Sequence, residues 1–189
     1  MAHIEPHHGF STRCIHAGQT PDPVTGAVMP PVSFSSTYAQ SSPGEHAGFE
    51  YSRSHNPTRY AWERCIARLE GSELCESDDV TYGGFAFASG LAAIATLLDH
   101  LPANAKVVAS DDLYGGTHRL FRQVRAHSAG LRFEFVDASD PNQVADAVDA
   151  ETALIWVETP TNPMLKVVDL AAIAAIGKEH GILTACDNT

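Results

Sequence analysis

Along the second half of the chain, short apolar runs alternate with stretches whose apolar positions recur every three or four residues. The runs Phe85–Ser89, Lys106–Ser110, Leu131–Asp137, Ala153–Glu158 and Ile182–Asp187 have the length and composition of buried strands. Between them, Leu91, Ile94, Ala95 and Leu98 share one helical face, and a second helix is predicted around Thr117–Arg125. A short helix starts near Pro141, and the last runs from about Asp169 to His180 with Gly181 as its stop. Strands joined by helices need right-handed crossovers that lay parallel strands side by side. The predicted fold is therefore α/β, a mainly parallel sheet with helices on both faces.

The first part of the chain reads differently. Residues 1 to about 50 are rich in Pro, Ser, Gly and His, and PDPVTGAVMPPVSFSSTYAQSSPGEH has turn chemistry with little periodicity. This predicts an extended arm, residues 1–50, stabilised by lying on something else, a second subunit among the candidates. Residues 51–189 form the rest. There Asn56 can cap a helix and Pro57 suits its first position. Trp62, Cys65, Ile66 and Leu69 then follow at helical spacing, and Gly71 ends the run. The acidic stretch 72–84 predicts a surface loop.

Charge narrows the partners. Twelve Lys plus Arg against 23 Asp plus Glu give a net charge of -11, which repels phosphate backbones and anionic lipid. Neither nucleic acid nor membrane is expected, and a bound phosphate would need a local pocket. No apolar run reaches the roughly 18 residues of a membrane span. The N-terminus lacks the basic start and apolar stretch of a secretory leader. Four cysteines, Cys14, Cys65, Cys75 and Cys186, are scattered without a paired spacing, so reduced thiols in a cytoplasmic protein are expected. His3, His7 and His8 could hold a divalent ion, but with no second ligand cluster they read as a tail, and no metal is expected.

In parallel sheets ligands bind beyond the carboxyl ends of the strands. Four of the five predicted strands lead there into polar or glycine-rich segments. Ser89-Gly90-Leu91 offers free backbone N–H groups at a helix start, suited to a phosphate, or is an ordinary turn. Tyr114, next to Gly115 and Gly116, could lie flat on an aromatic ligand or be a turn tyrosine. Asp187, at the end of an apolar strand, needs a cationic partner such as a protonated ring nitrogen, or caps a helix.

Five segments taken in order carry a resemblance: Tyr51-Ser-Arg-Ser-His-Asn-Pro-Thr-Arg59, Phe87-Ala-Ser-Gly-Leu-Ala92, Asp112-Leu-Tyr-Gly-Gly-Thr117, Glu158-Thr-Pro-Thr-Asn-Pro163 and Asp187-Asn-Thr189. The chain resembles the Cys/Met-metabolism family of pyridoxal-phosphate enzymes from about residue 13 to its last, most like its bacterial cystathionine γ-lyases. The resemblance implies the large domain of fold-type I enzymes, with residues 51–189 as its first part. It implies pyridoxal 5'-phosphate as cofactor, with Ser89, Gly90 and Leu91 at its phosphate. Tyr51 and Arg53 would reach a neighbouring subunit's cofactor phosphate, making the enzyme a homo-oligomer, a dimer of dimers with shared sites. Tyr114 would stack on the ring and help proton transfer, and Asn162 would sit near the ring's phenolic oxygen. Asp187 would keep the ring nitrogen protonated, and Thr189 would line the same face. Tyr114 and Asp187 are thus the implied catalytic residues.

The activity implied is γ-elimination on cystathionine, giving cysteine, 2-oxobutanoate and ammonia. Gly116 stands where methionine γ-lyases carry a cysteine, which speaks against that activity. A cystathionine γ-synthase or homoserine-ester sulfhydrylase is the alternative within the family. The family's Schiff-base lysine lies downstream of the Asp-Asn-Thr segment, and Lys106, Lys166 and Lys178 do not match it, so all three are expected to be solvated. The expectation is therefore that this chain is part of a longer enzyme, the remainder and the C-terminal domain lying beyond Thr189. The alternative of another class is a truncated, non-catalytic fragment that binds cofactor or a partner chain. Residues 72–84 are longer than the family's usual segment there and read as an insertion.

Overall fold

A computed structural model describes residues 9–71 and 83–189. The chain divides into two compact units, residues 1–86 and 87–189. The insertion expected at 72–84 and the histidines at positions 3, 7 and 8 fall largely or wholly outside the described residues.

In the first unit, a short helix α1 (Phe10–His16) precedes a two-stranded hairpin, β1 (Gln40–Ser42) with β2 (Glu45–His46). Pro43-Gly44 makes the hairpin turn, with Gly44 at φ 84°, a conformation glycine adopts without penalty. Helix α2 (Pro57–Leu69) starts as predicted: the Asn56 side chain accepts the N–H groups of Thr58 and Arg59 at 2.9 and 3.1 Å. Its predicted apolar stripe is not the buried face. Tyr60, Glu63 and Ala67 are buried, whereas Trp62 is 57% exposed and Ile66 41%. Tyr60 packs with Phe49, which packs with Tyr38, so the arm supplies the cover for that face.

The second unit carries the sheet. Its strands are β3 (Lys106–Ser110), β4 (Arg132–Val136), β5 (Thr152–Glu158) and β6 (Leu183–Asp187), all parallel, in the order β4-β3-β5-β6. The fifth predicted strand, Phe85–Ser89, is absent. Apolar residues there match a strand's composition, but no described strand lies alongside to complete a ladder, so the segment is irregular up to the cap of α3.

The strands alternate their side chains between two cores. Val107, Ala109, Leu154 and Trp156 face one side with Ile94, Leu98 and Phe121. Val108, Ile155 and Val157 face the other with Val144, Val168 and Ile173. Helix α3 (Gly90–Asp99) covers the first side with α4 (Gly115–Arg119), which runs on through a wider π-type stretch, Leu120–Arg125, into a last turn, α5 (Ala126–Ser128). Helices α6 (Pro141–Ala147) and α7 (Leu170–His180) cover the second. Asp169 caps α7 through a 3.1 Å bond to Ala172, and Gly181 closes it at φ 66°.

This order fixes where a ligand can sit. From β3 the chain steps outward to β4 on one side, and from β5 it steps to β6 on the other. Connections of one hand that reverse direction must change face, so the loops after β3 and β5 part and leave a crevice between them.

Candidate active site

The crevice is real: a cavity of about 750 Å³ opens there, lined by Ser89, Gly90, Leu91, Tyr114, Asn162, Asp187 and Thr189, together with Glu158 and Thr161. All seven site residues expected within the second unit meet around it. Tyr51 and Arg53 lie in the first unit and are not among its lining. They sit side by side on an exposed turn, the Arg53 guanidinium over the Tyr51 ring at 5.0 Å and donating to its hydroxyl.

Helix α3 presents its start to the cavity. Ser89 caps it: its Oγ accepts the Ala92 N–H at 3.2 Å, and its carbonyl accepts those of Ala92 and Ala93. The first-turn amides of Gly90 and Leu91 have no partner within the helix. A Cβ built on Gly90 would meet nothing within 4 Å, so the missing side chain leaves room at those amides.

Tyr114 stands at the start of α4, half-exposed, and its ring lies over Gly116. At the far end, Asp187 takes the Thr189 N–H at 3.0 Å and the Thr189 hydroxyl at 2.6 Å on one oxygen. No cation pairs with Asp187 among the described residues.

The loop after β5 is pinned by acids that open two of the family motifs but to which the sequence alone assigned no role. Glu158, 4% exposed, accepts the Tyr114 N–H on one oxygen at 2.9 Å and the Asn162 N–H on the other at 2.8 Å. Burial pushes its carboxyl up, the two amides pull it down, and the charges of Asp187 and Asp112 add to the rise. Asp112 accepts the Thr161 hydroxyl at 2.5 Å and the Met164 N–H at 2.9 Å. Lys166 bridges Asp111 and Asp137 at 3.0 Å each. An acid closing an apolar strand was the signal that singled out Asp187, and it applies equally to Glu158.

The lysines correct one expectation. Lys106 is not solvated: its ammonium binds Glu134, Asp149 and the Ala147 carbonyl, each at 2.7 Å. Lys166 is likewise committed to two carboxylates. Both arrangements follow from an acidic surface, which offers any lysine near it several partners.

The model of the Cys/Met metabolism PLP-dependent enzymes matches residues 11–189. The chain belongs to that family. A cystathionine β-lyase of Coxiella burnetii is 58% identical over 180 residues, 95% of this chain and 44% of that protein. A probable cystathionine γ-synthase of Herpetosiphon aurantiacus is 50% identical, over 96% of this chain and 54% of that protein. The crystal structure of cystathionine γ-lyase from Lactobacillus plantarum, complexed with L-serine, superposes with a TM-score of 0.86 at 41% identity, over 96% of this chain and 45% of that one. The chain thus spans about half the length of these relatives. The likeness extends to the whole fold described, that of the fold-type I enzymes.

Pyridoxal 5'-phosphate, the family's cofactor, fits the residues present. The open start of α3, with room at Gly90, suits its phosphate. Tyr114 offers an aromatic face, and Asp187 offers an unpaired carboxylate to a cationic ring nitrogen. Among the described residues no group of His, Cys, Asp and Glu could hold a metal ion, and no helix is long and apolar enough to cross a membrane.

Proposed function

We propose that the protein carrying this chain catalyses γ-elimination on cystathionine, taking up water and releasing cysteine, 2-oxobutanoate and ammonia. The observation that carries the cofactor chemistry of this reading is the meeting of Gly90, Leu91, Tyr114, Asn162, Asp187 and Thr189 around one cavity at the crevice between the loops after β3 and β5. When bound, pyridoxal phosphate supplies an electron sink for charge developing at the substrate's α-carbon.

The chain's own residues each take a part. The amides of Gly90 and Leu91 hold the phosphate, and Ser89 keeps that turn in place through its bond to Ala92. Tyr114 covers one face of the ring and moves protons at its hydroxyl. Asn162 holds the ring's phenolic edge. Asp187, oriented by Thr189, keeps the ring nitrogen protonated by placing a negative charge beside it. Tyr51 and Arg53 serve the cofactor phosphate of a neighbouring subunit in a homotetramer, and their exposed, mutually braced placement supports that role. The scattered spacing of the four cysteines supports a reducing, cytoplasmic setting.

β-Elimination on the same substrate is the second reading, favoured by the Coxiella burnetii relative at 58% identity. Products separate the two. The protein is first weighed intact and scanned for bound cofactor, then incubated with pyridoxal phosphate and cystathionine. Cysteine with 2-oxobutanoate supports the proposal. Homocysteine with pyruvate supports β-elimination, and cystathionine made from an activated homoserine ester and cysteine supports a γ-synthase. A mass of 20.2 kDa, bound cofactor and no product would leave a non-catalytic binding fragment.

A further inference from the structure

Glu158 is costly where it stands. It closes the most buried strand of the sheet, it is 4% exposed, and no ion pair serves it among the described residues. Its ladder partner is another acid, Asp187, and Asp112 adds a third negative charge nearby. A buried carboxylate in such company is disfavoured unless hydrogen bonds compensate it.

Among the described residues the compensation comes from two amides only, and they belong to different loops. Oε2 takes the N–H of Tyr114, after β3, and Oε1 takes the N–H of Asn162, after β5. Both residues line the cavity, one from each loop. A carboxylate is planar and rigid, so its two oxygens set the distance between the two amides. Neither loop can shift without breaking a charge-assisted bond inside a buried site.

We infer that Glu158 is a positioning residue for the cofactor: one carboxylate holds Tyr114 and Asn162 in fixed relation, so that ring face and ring edge are gripped together. The inference rests on the cofactor reading of the cavity. Glutamine at this position keeps the shape but turns an NH₂ toward one of the two amides, so one bond is lost.

The test is a double-mutant cycle read on the dissociation constant of pyridoxal phosphate, measured by fluorescence titration of the full-length protein. Tyr114→Ala and Asn162→Ala are each made in the parent and in Glu158→Gln. In the parent, both should weaken binding. In Glu158→Gln, each should weaken it less, by at least about threefold, because the contact is already misplaced. Additive effects would overturn the inference and leave Glu158 a plain structural acid. If neither alanine variant affects binding in the parent, the cofactor reading itself fails. Hydrogen exchange on the unmutated protein decides the matter if Glu158→Gln does not fold. The Tyr114 and Asn162 amides should both be protected, and free exchange at either would sink the inference.

Discussion

Gly116 lies beneath the ring of Tyr114: a Cβ built on it would stand 2.5 Å from Tyr114 Cε1 and 3.1 Å from Leu91 Cδ1. The ring can therefore rest against the first turn of α4 only while position 116 has no side chain. Gly116→Ala sets two effects against each other. Alanine favours the helix by up to about 1 kcal/mol. The clash is relieved by swinging a ring that is half-exposed, which costs the fold little. The melting temperature should hold or rise slightly, while affinity for pyridoxal phosphate falls about tenfold. A drop in melting temperature with unchanged affinity would mean that the backbone yields and the ring does not.

The same logic runs without a clash at Gly90. Its Cβ would enter open space on the cavity wall, so Gly90→Ala should fold at least as stably as the parent. The added methyl would stand at the amides assigned to the phosphate. Inorganic phosphate should then compete less well with the cofactor in the variant than in the parent. Equal competition in both proteins would move the phosphate away from this helix start.

Much of this was legible in the chain because buried parallel strands read as apolar runs. Lys106–Ser110 was bounded to the residue, and Ala153–Glu158 and Ile182–Asp187 to within one. Phe85–Ser89 failed because composition cannot show whether a neighbour completes a ladder. The stripe Trp62, Cys65, Ile66 and Leu69 is genuinely periodic, but periodicity does not say what covers it. In the site, residues at strand ends were legible from the rule that ligands gather there. The position of Glu158 at a strand end was equally legible, but its role was not: it accepts the amide of Tyr114, 44 residues earlier in the chain, and only the fold brings the two together.

Asp187 and Thr189 form a pair whose halves are separable. Asp187→Asn keeps the shape and removes the charge, so it should cut turnover severely while the folded state persists. Thr189→Val keeps the charge but loses the 2.6 Å hydroxyl bond that orients it, so it should lose less. The order is checked by comparing kcat/KM of both variants in the assembled enzyme at saturating cofactor. Near-parent turnover in Asp187→Asn would remove this carboxylate from the ring nitrogen.

Glu158 also makes a prediction about pH. Burial, with the nearby charges of Asp187 and Asp112, raises its carboxyl above the ordinary value against the pull of the Tyr114 and Asn162 amides. The folded state then holds this proton more tightly than the unfolded chain does. Its stabilising contribution is full below about pH 4.3, the unfolded value, and is lost as pH rises through the folded one. Glu158→Gln cannot titrate, so its stability lacks this dependence on pH. Urea unfolding of both proteins at a series of pH values should show parent stability falling relative to the variant as pH rises above about 4.3, then running parallel at higher pH. The opposite slope would mean that the two amide bonds outweigh burial and hold the carboxyl below its ordinary value.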